Sequence, residues 1–169
     1  MSRFYLIGLP GSGKSTSGKR FAKKMGLGYA DLDKLVQIHA KLRIPEIFEL
    51  HGEAYFRSLE RSCLLQTAES DALVVGCGGG TPAWLNNIEW MREHGTVIWL
   101  NIATDELAKR LQKSRNTRPF FPSREITDIR NQLIQLLEKR IKYYEKADFQ
   151  INSEIALIEL ADYFLMNKC

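Results

Sequence analysis

At 169 residues, with 44% apolar and 26% charged side chains, the chain has the length of one domain and the make-up of an ordinary globular protein. A chain of this size buries roughly 70% of the surface its unfolded form exposes, and no apolar run approaches the roughly 20 residues that cross a bilayer, so a cored, non-membrane protein is expected. The net charge of +4 suits anionic small molecules or nucleic acid, and equally a generally solvated basic surface.

The opening MSRFYLIGLPG has too short an apolar run for a secretory signal, which with Cys63, Cys77 and Cys169, odd in number and without a C-x-x-C pair, points to a reducing cytoplasm. FYLIGL (4–9) reads as a buried first strand, STSGKRFAKKMG (15–26) as a helix closed by Gly26, and GYADLD (28–33) as a short second strand. A helical stretch over 33–70 follows, restarted at Pro45 and broken at Gly52, with Phe56, Leu59 and Cys63 forming one apolar stripe. DALVVG (71–76), TVIWLNI (96–102) and DFQIN (148–152) complete five strands. Thr81-Pro82 is expected to start a helix, Thr104 to cap another, and Thr127 to cap a long one running to about Glu145 with Ile129, Leu133, Leu137 and Ile141 inward. Residues 112–126, with two prolines and no period, read as a mobile lid loop. Strands and helices alternate throughout, so the fold class is α/β with a parallel sheet. His39, His51 and His94 stand apart, without metal-ligand spacing.

GLPGSGKS, Gly8 to Ser15, matches G-x-x-x-x-G-K-[ST] in full, between a strand and a helix. Gly8, Gly11 and Gly13 let backbone N–H groups face phosphate oxygens, and the positive end of the helix adds to the attraction. The loop implies ATP or GTP bound along Gly11, Ser12, Gly13, Lys14, Ser15 and Thr16, with Lys14 on the β- and γ-phosphates and Ser15 on Mg²⁺. Many such proteins place a magnesium-holding carboxylate at the end of a later strand. Strand 3 instead runs into Gly-Cys-Gly-Gly-Gly (76–80), so the candidate acids are Asp31 and Asp33 at the end of strand 2. Two apart in an extended chain, they would share a side; alternatively, Asp33 simply caps the next helix.

With Gly52-Glu53 and Phe56-Arg57 on a helix, Gly78-Gly79-Gly80 after strand 3, Arg118-Pro119 in the loop and Arg140 ahead of Tyr143 and Tyr144, the chain resembles the shikimate kinases from Gly8 to Asp148. The resemblance implies a P-loop αβα sandwich of the nucleoside-monophosphate-kinase type, sheet order 2-3-1-4-5, in one domain with an acceptor-binding segment at about 33–62. It also implies transfer of the γ-phosphate of ATP to the 3-hydroxyl of shikimate. By the same resemblance Asp31 lies near Mg²⁺, Asp33 meets the attacked hydroxyl, and Arg57, Arg140 and Gly78 to Gly80 hold the acceptor. Arg118 then serves the transferring group and Arg110 the adenine. The alternative for Arg57 and Arg140, taken singly, is that of surface helix arginines, the lesser reading of the two. The loop carries Phe120 and Phe121 where the family commonly has leucines, and INSEIAL (151–157) lacks an arginine that some members place near adenine. Two rivals stand beside this reading: a kinase of the same fold acting on gluconate or a nucleoside monophosphate, and a nucleotide-dependent binding protein acting on nucleic acid. The scattered basic residues favour a small-molecule enzyme over a nucleic-acid binder. A monomer without membrane partners is expected.

Overall fold

The computed structural model describes residues 2–114, 123 and 125–167. Five parallel strands, β1 (Ser2–Ile7), β2 (Gly28–Asp31), β3 (Ala72–Gly76), β4 (Thr96–Leu100) and β5 (Phe149–Ile151), form one sheet in the order β2-β3-β1-β4-β5. Alternate residues of the central strand feed opposite faces: Tyr5 and Ile7 join one core with Val75, Val97 and Leu133, while Phe4 and Leu6 join another with Phe21, Val74 and Ile98. A strand buried on both faces needs a continuous apolar run, which β1 supplies.

Among the described residues seven helices flank the sheet: α1 (Lys14–Met25), α2 (Leu32–Ala40), α3 (Ile44–Gln66), α4 (Asn87–His94), α5 (Thr104–Lys113), α6 (Ile126–Tyr144) and α7 (Glu154–Met166). Gly26 closes α1 in the left-handed conformation (φ 69°), as expected, and Gly52 kinks α3 at φ 78°. Several expected boundaries move. Pro82 heads only a single 3₁₀ turn, Thr81–Ala83, because the helix proper starts at Asn87. Thr104 and Thr127 do not cap; they lie inside α5 and α6, whose N-caps are Ala103 and Glu125. The start of α6 is ordered instead by Ser123, whose hydroxyl accepts from the Glu125 amide (3.1 Å) and donates to Asp128 (2.7 Å). Helix α5 runs through Lys113, so the first two residues assigned to the lid are helical, and most of the remainder lies outside the described residues.

Arg3 ties the lower edge of the sheet. It is 1% exposed, and its guanidinium donates to the carbonyls of Ala68 (2.7 Å), Ser70 (2.7 and 2.9 Å) and His94 (2.5 Å), clamping the turns that lead into β3 and β4. Replacing it leaves three half-buried carbonyls without their donor, each costing on the order of 1 kcal/mol. Arg3→Met should therefore lower unfolding stability by about 3 kcal/mol, read as an earlier urea midpoint at unchanged slope.

Candidate functional site

Sheet order places the carboxyl ends of β1, β2 and β3 side by side, the position at which open parallel sheets bind ligands. The loop from β1 to α1 holds Gly11 and Gly13 at φ 83° and 91°, a conformation that turns successive amides inward. Lys14 is folded onto this loop, its Nζ donating to the carbonyls of Gly8 and Leu9 (2.9 Å each) and to Ser12 Oγ (3.2 Å). Ser15 Oγ donates to Asp31 Oδ2 at 3.0 Å, so the hydroxyl and carboxylate assigned to the metal meet at the loop's mouth. That oxygen pair fits Mg²⁺, which prefers oxygen ligands and usually takes one or two carboxylates beside phosphate and water. No cluster of three or more His, Cys, Asp or Glu side chains competes for a metal among the described residues.

The two aspartates do not share one side of an extended strand. β2 ends at Asp31, which caps α2 by accepting from the Lys34 amide (3.4 Å), and Asp33 falls in the first helical turn. The carboxylates are thereby separated in role by backbone geometry: one faces Ser15, the other the glycine run. A methyl group built on Gly78 would lie 2.8 Å from Glu60 Oε1 and 3.1 Å from Asp33 Oδ1. One on Gly79 would lie 2.8 Å from Arg140 Nη1, and one on Gly80 would collide with the Arg57 guanidinium. Gly78 to Gly80 thus have no side chains because Glu60, Asp33, Arg140 and Arg57 already press against their backbone. The sequence reading left that space to the ligand alone; the protein's own charged groups fill much of it.

Three residues at or near this cluster have no role assigned by the sequence alone. Glu60 is fully buried, accepting from Arg57 Nη1 (2.8 Å) and from Thr81 Oγ1 (2.6 Å). Its place three residues after Arg57 on a helix was the available signal. Tyr144, four residues after Arg140, donates to the Gly79 carbonyl at 2.6 Å, and burial pushes its pKa up to about 12 against the opposing pull of Arg140, so it remains a donor. Glu154, at the start of α7, reaches over Gly13 and pairs with Arg20 (3.4 Å) and Arg110 (3.9 Å), occupying the region where the sequence lacks an arginine. Arg110 also donates to Glu106 (2.5 Å) and to the Gly11 carbonyl (3.5 Å), so it does stand beside the phosphate loop. Arg57, Gly80, Trp84, Lys139, Arg140 and Glu53 line a cleft of about 180 Å³. Arg118 lies outside the described residues. Cys77 is buried beside this site with its thiol pushed up by burial and by Glu60, which keeps it protonated and inert.

With this geometry in view, likeness to known proteins is decisive. The family model for shikimate kinase matches residues 10–166. The chain belongs to the shikimate kinase family. A shikimate kinase of Parabacteroides distasonis is 37% identical over 159 residues, covering 94% of this chain and 92% of its own. The crystal structure of a shikimate kinase from Bacteroides thetaiotaomicron superposes with a TM-score of 0.88 at 34% identity, over 98% of this chain and 96% of the other. A shikimate kinase from Acinetobacter baumannii, solved in complex with shikimate, gives 0.84 at 30% identity over 98% and 92%. The αβα fold and sheet order expected from the family are those observed.

Burial, with Glu60 and then Asp31 nearby, raises the pKa of Asp33 from 3.8 to about 6, against the pull of Lys14 and Arg57. Between those two values the folded state holds a proton that the unfolded state has released, so this residue's effect on stability turns unfavourable as pH rises and reaches its full cost above about 6. Asp33→Asn should therefore stabilise the nucleotide-free protein at pH 7.5 by about 2 kcal/mol, while leaving it unchanged near pH 3.5. Thermal unfolding at the two pH values checks both halves.

Proposed function

We propose that the chain is a shikimate kinase, transferring the γ-phosphoryl group of ATP to the 3-hydroxyl of shikimate to give shikimate 3-phosphate and ADP. The observation that carries the reading is the convergence of Asp33, Arg57 and Arg140 on one glycine run beside the phosphate loop. A carboxylated ring with hydroxyls needs guanidinium forks at one end and a hydrogen-bond acceptor at the other, and this cluster offers both. Phosphorylation of gluconate or of a nucleoside monophosphate accounts less well for two arginines and an acceptor acid at this spacing.

The chain acts as one kinase domain, residues 33–62 forming the acceptor side and 112–126 the lid, on small molecules and as a monomer. No described helix is long and apolar enough to cross a membrane. Gly11, Ser12, Gly13, Ser15 and Thr16 present amides and hydroxyls to the nucleotide phosphates, with Arg110 on the base side. Lys14 exchanges its present carbonyl partners for β- and γ-phosphate oxygens, trading neutral acceptors for charged ones. Ser15 and Asp31 would hold Mg²⁺, which would supply neutralisation of phosphate charge. Arg57 and Arg140 grip the acceptor carboxylate, and Gly78 to Gly80 bring backbone against the ring. Asp33, ionised above about pH 6, accepts from the 3-hydroxyl and aims its oxygen at the γ-phosphorus. Little deprotonation is needed early in a loose transition state, so orientation outweighs basicity; Lys14 and Arg118 offset the charge carried by the transferring group.

ADP release by the purified protein with ATP and Mg²⁺, with shikimate, gluconate or nucleoside monophosphates as acceptor, tests the assignment. Shikimate-dependent release with the product's mass supports it, and release with another acceptor alone overturns it. Arg140→Ala should raise the KM for shikimate about 30- to 100-fold, the loss of a charged bidentate contact, while the KM for ATP stays within about twofold. Asp33→Asn should lower kcat at least about 100-fold at nearly unchanged ATP affinity, as measured by steady-state kinetics and nucleotide titration.

A further inference from the structure

The carboxylate end of the acceptor cleft contains more cations than its recognition of one carboxylate explains. Arg57 already carries two acids, Glu60 at 2.8 Å and Glu53 at 3.4 Å, both on its own helix. Arg57 and Arg140 together therefore only balance Glu53 and Glu60, and a cleft built from these four groups alone would be neutral. Lys139 lines the same cleft, is exposed, and has no acidic partner within ion-pair distance among the described residues. Among the charged groups that line this cleft and the buried Glu60 behind them, its ammonium leaves one net positive charge, at the end away from Asp33, which presses on Gly78 and is not part of the lining.

We infer that Lys139 determines selectivity for anionic acceptors: it is the cation that makes the cleft attract a carboxylated ring, while the two arginines orient what has been captured. The inference rests on the acceptor-binding role given to this cleft above. An exposed charge at a cleft's rim acts at a distance, by raising the local concentration and capture rate of the oppositely charged ligand, and salt weakens it. Contacts that orient the ring for transfer are made by other groups, so the effect belongs to KM and not to kcat.

Steady-state kinetics of the wild-type protein, K139R and K139Q at low and at physiological ionic strength test this. At low salt K139Q is expected to raise the shikimate KM about three- to tenfold, with kcat, ATP KM and melting temperature unchanged, and added salt narrows the gap. K139R is expected to match the wild type. A wild-type KM in K139Q at low salt, or an equal rise in K139R and K139Q, would overturn the inference. Failure of the underlying reading looks different: the wild-type protein itself then releases no ADP with shikimate, and the same three proteins are compared with gluconate, whose carboxylate poses the same question of charge.

Discussion

The acceptor side of this molecule depends on one buried carboxylate. Glu60 has no access to water, and a lone ionised acid there would be prohibitively costly; it is held by Arg57 on one oxygen and Thr81 on the other. Each of those contacts fixes something else. The pair with Arg57 sets the guanidinium against Gly80, while the bond from Thr81 anchors the turn that ends the glycine run, itself braced where Asn87 donates to the Thr81 carbonyl at 2.8 Å. The same negative charge helps keep Asp33 near the edge of ionisation. One side chain thus couples the arginine that grips, the loop that lets the ring approach and the acid that aims the hydroxyl.

Much of this was legible beforehand, for identifiable reasons. Continuous apolar runs in β1, β3 and β4 announced a sheet covered on both faces, and the phosphate loop declared itself because the mechanism requires glycine, lysine and serine at fixed offsets. Arg57 and Arg140 gained meaning only from order and spacing along the whole chain, since an isolated helical arginine reads as solvent-exposed.

The failures have equally specific causes. Thr104 and Thr127 are good caps in isolation, but helix starts are settled by tertiary contacts, and in α6 the serine at 123 took the organising role. A period of two puts Asp31 and Asp33 on one side only if the strand extends to residue 33; capping by Asp31 turns the chain into a helix between them. Glu60 could not be found by composition, because a glutamate on a helix is nearly always solvated. Helix α7 passed unnoticed although it carries Glu154 to the phosphate loop and packs against α1. Its apolar residues surround the axis instead of forming one stripe, so no periodic signal marks it.

The crowding of Gly78 to Gly80 constrains how such a site can diverge. A side chain at any of the three would displace the tip of Glu60, Asp33 or an arginine, so a change there disturbs the binding groups together with the shape of the pocket. A new acceptor preference is more simply written from the periphery: on α3 near Glu53, on the 3₁₀ turn near Trp84, or on α6 near Lys139. The centre of the site thus changes only together with its charged groups, while single substitutions at its rim can alter which acceptor is drawn in.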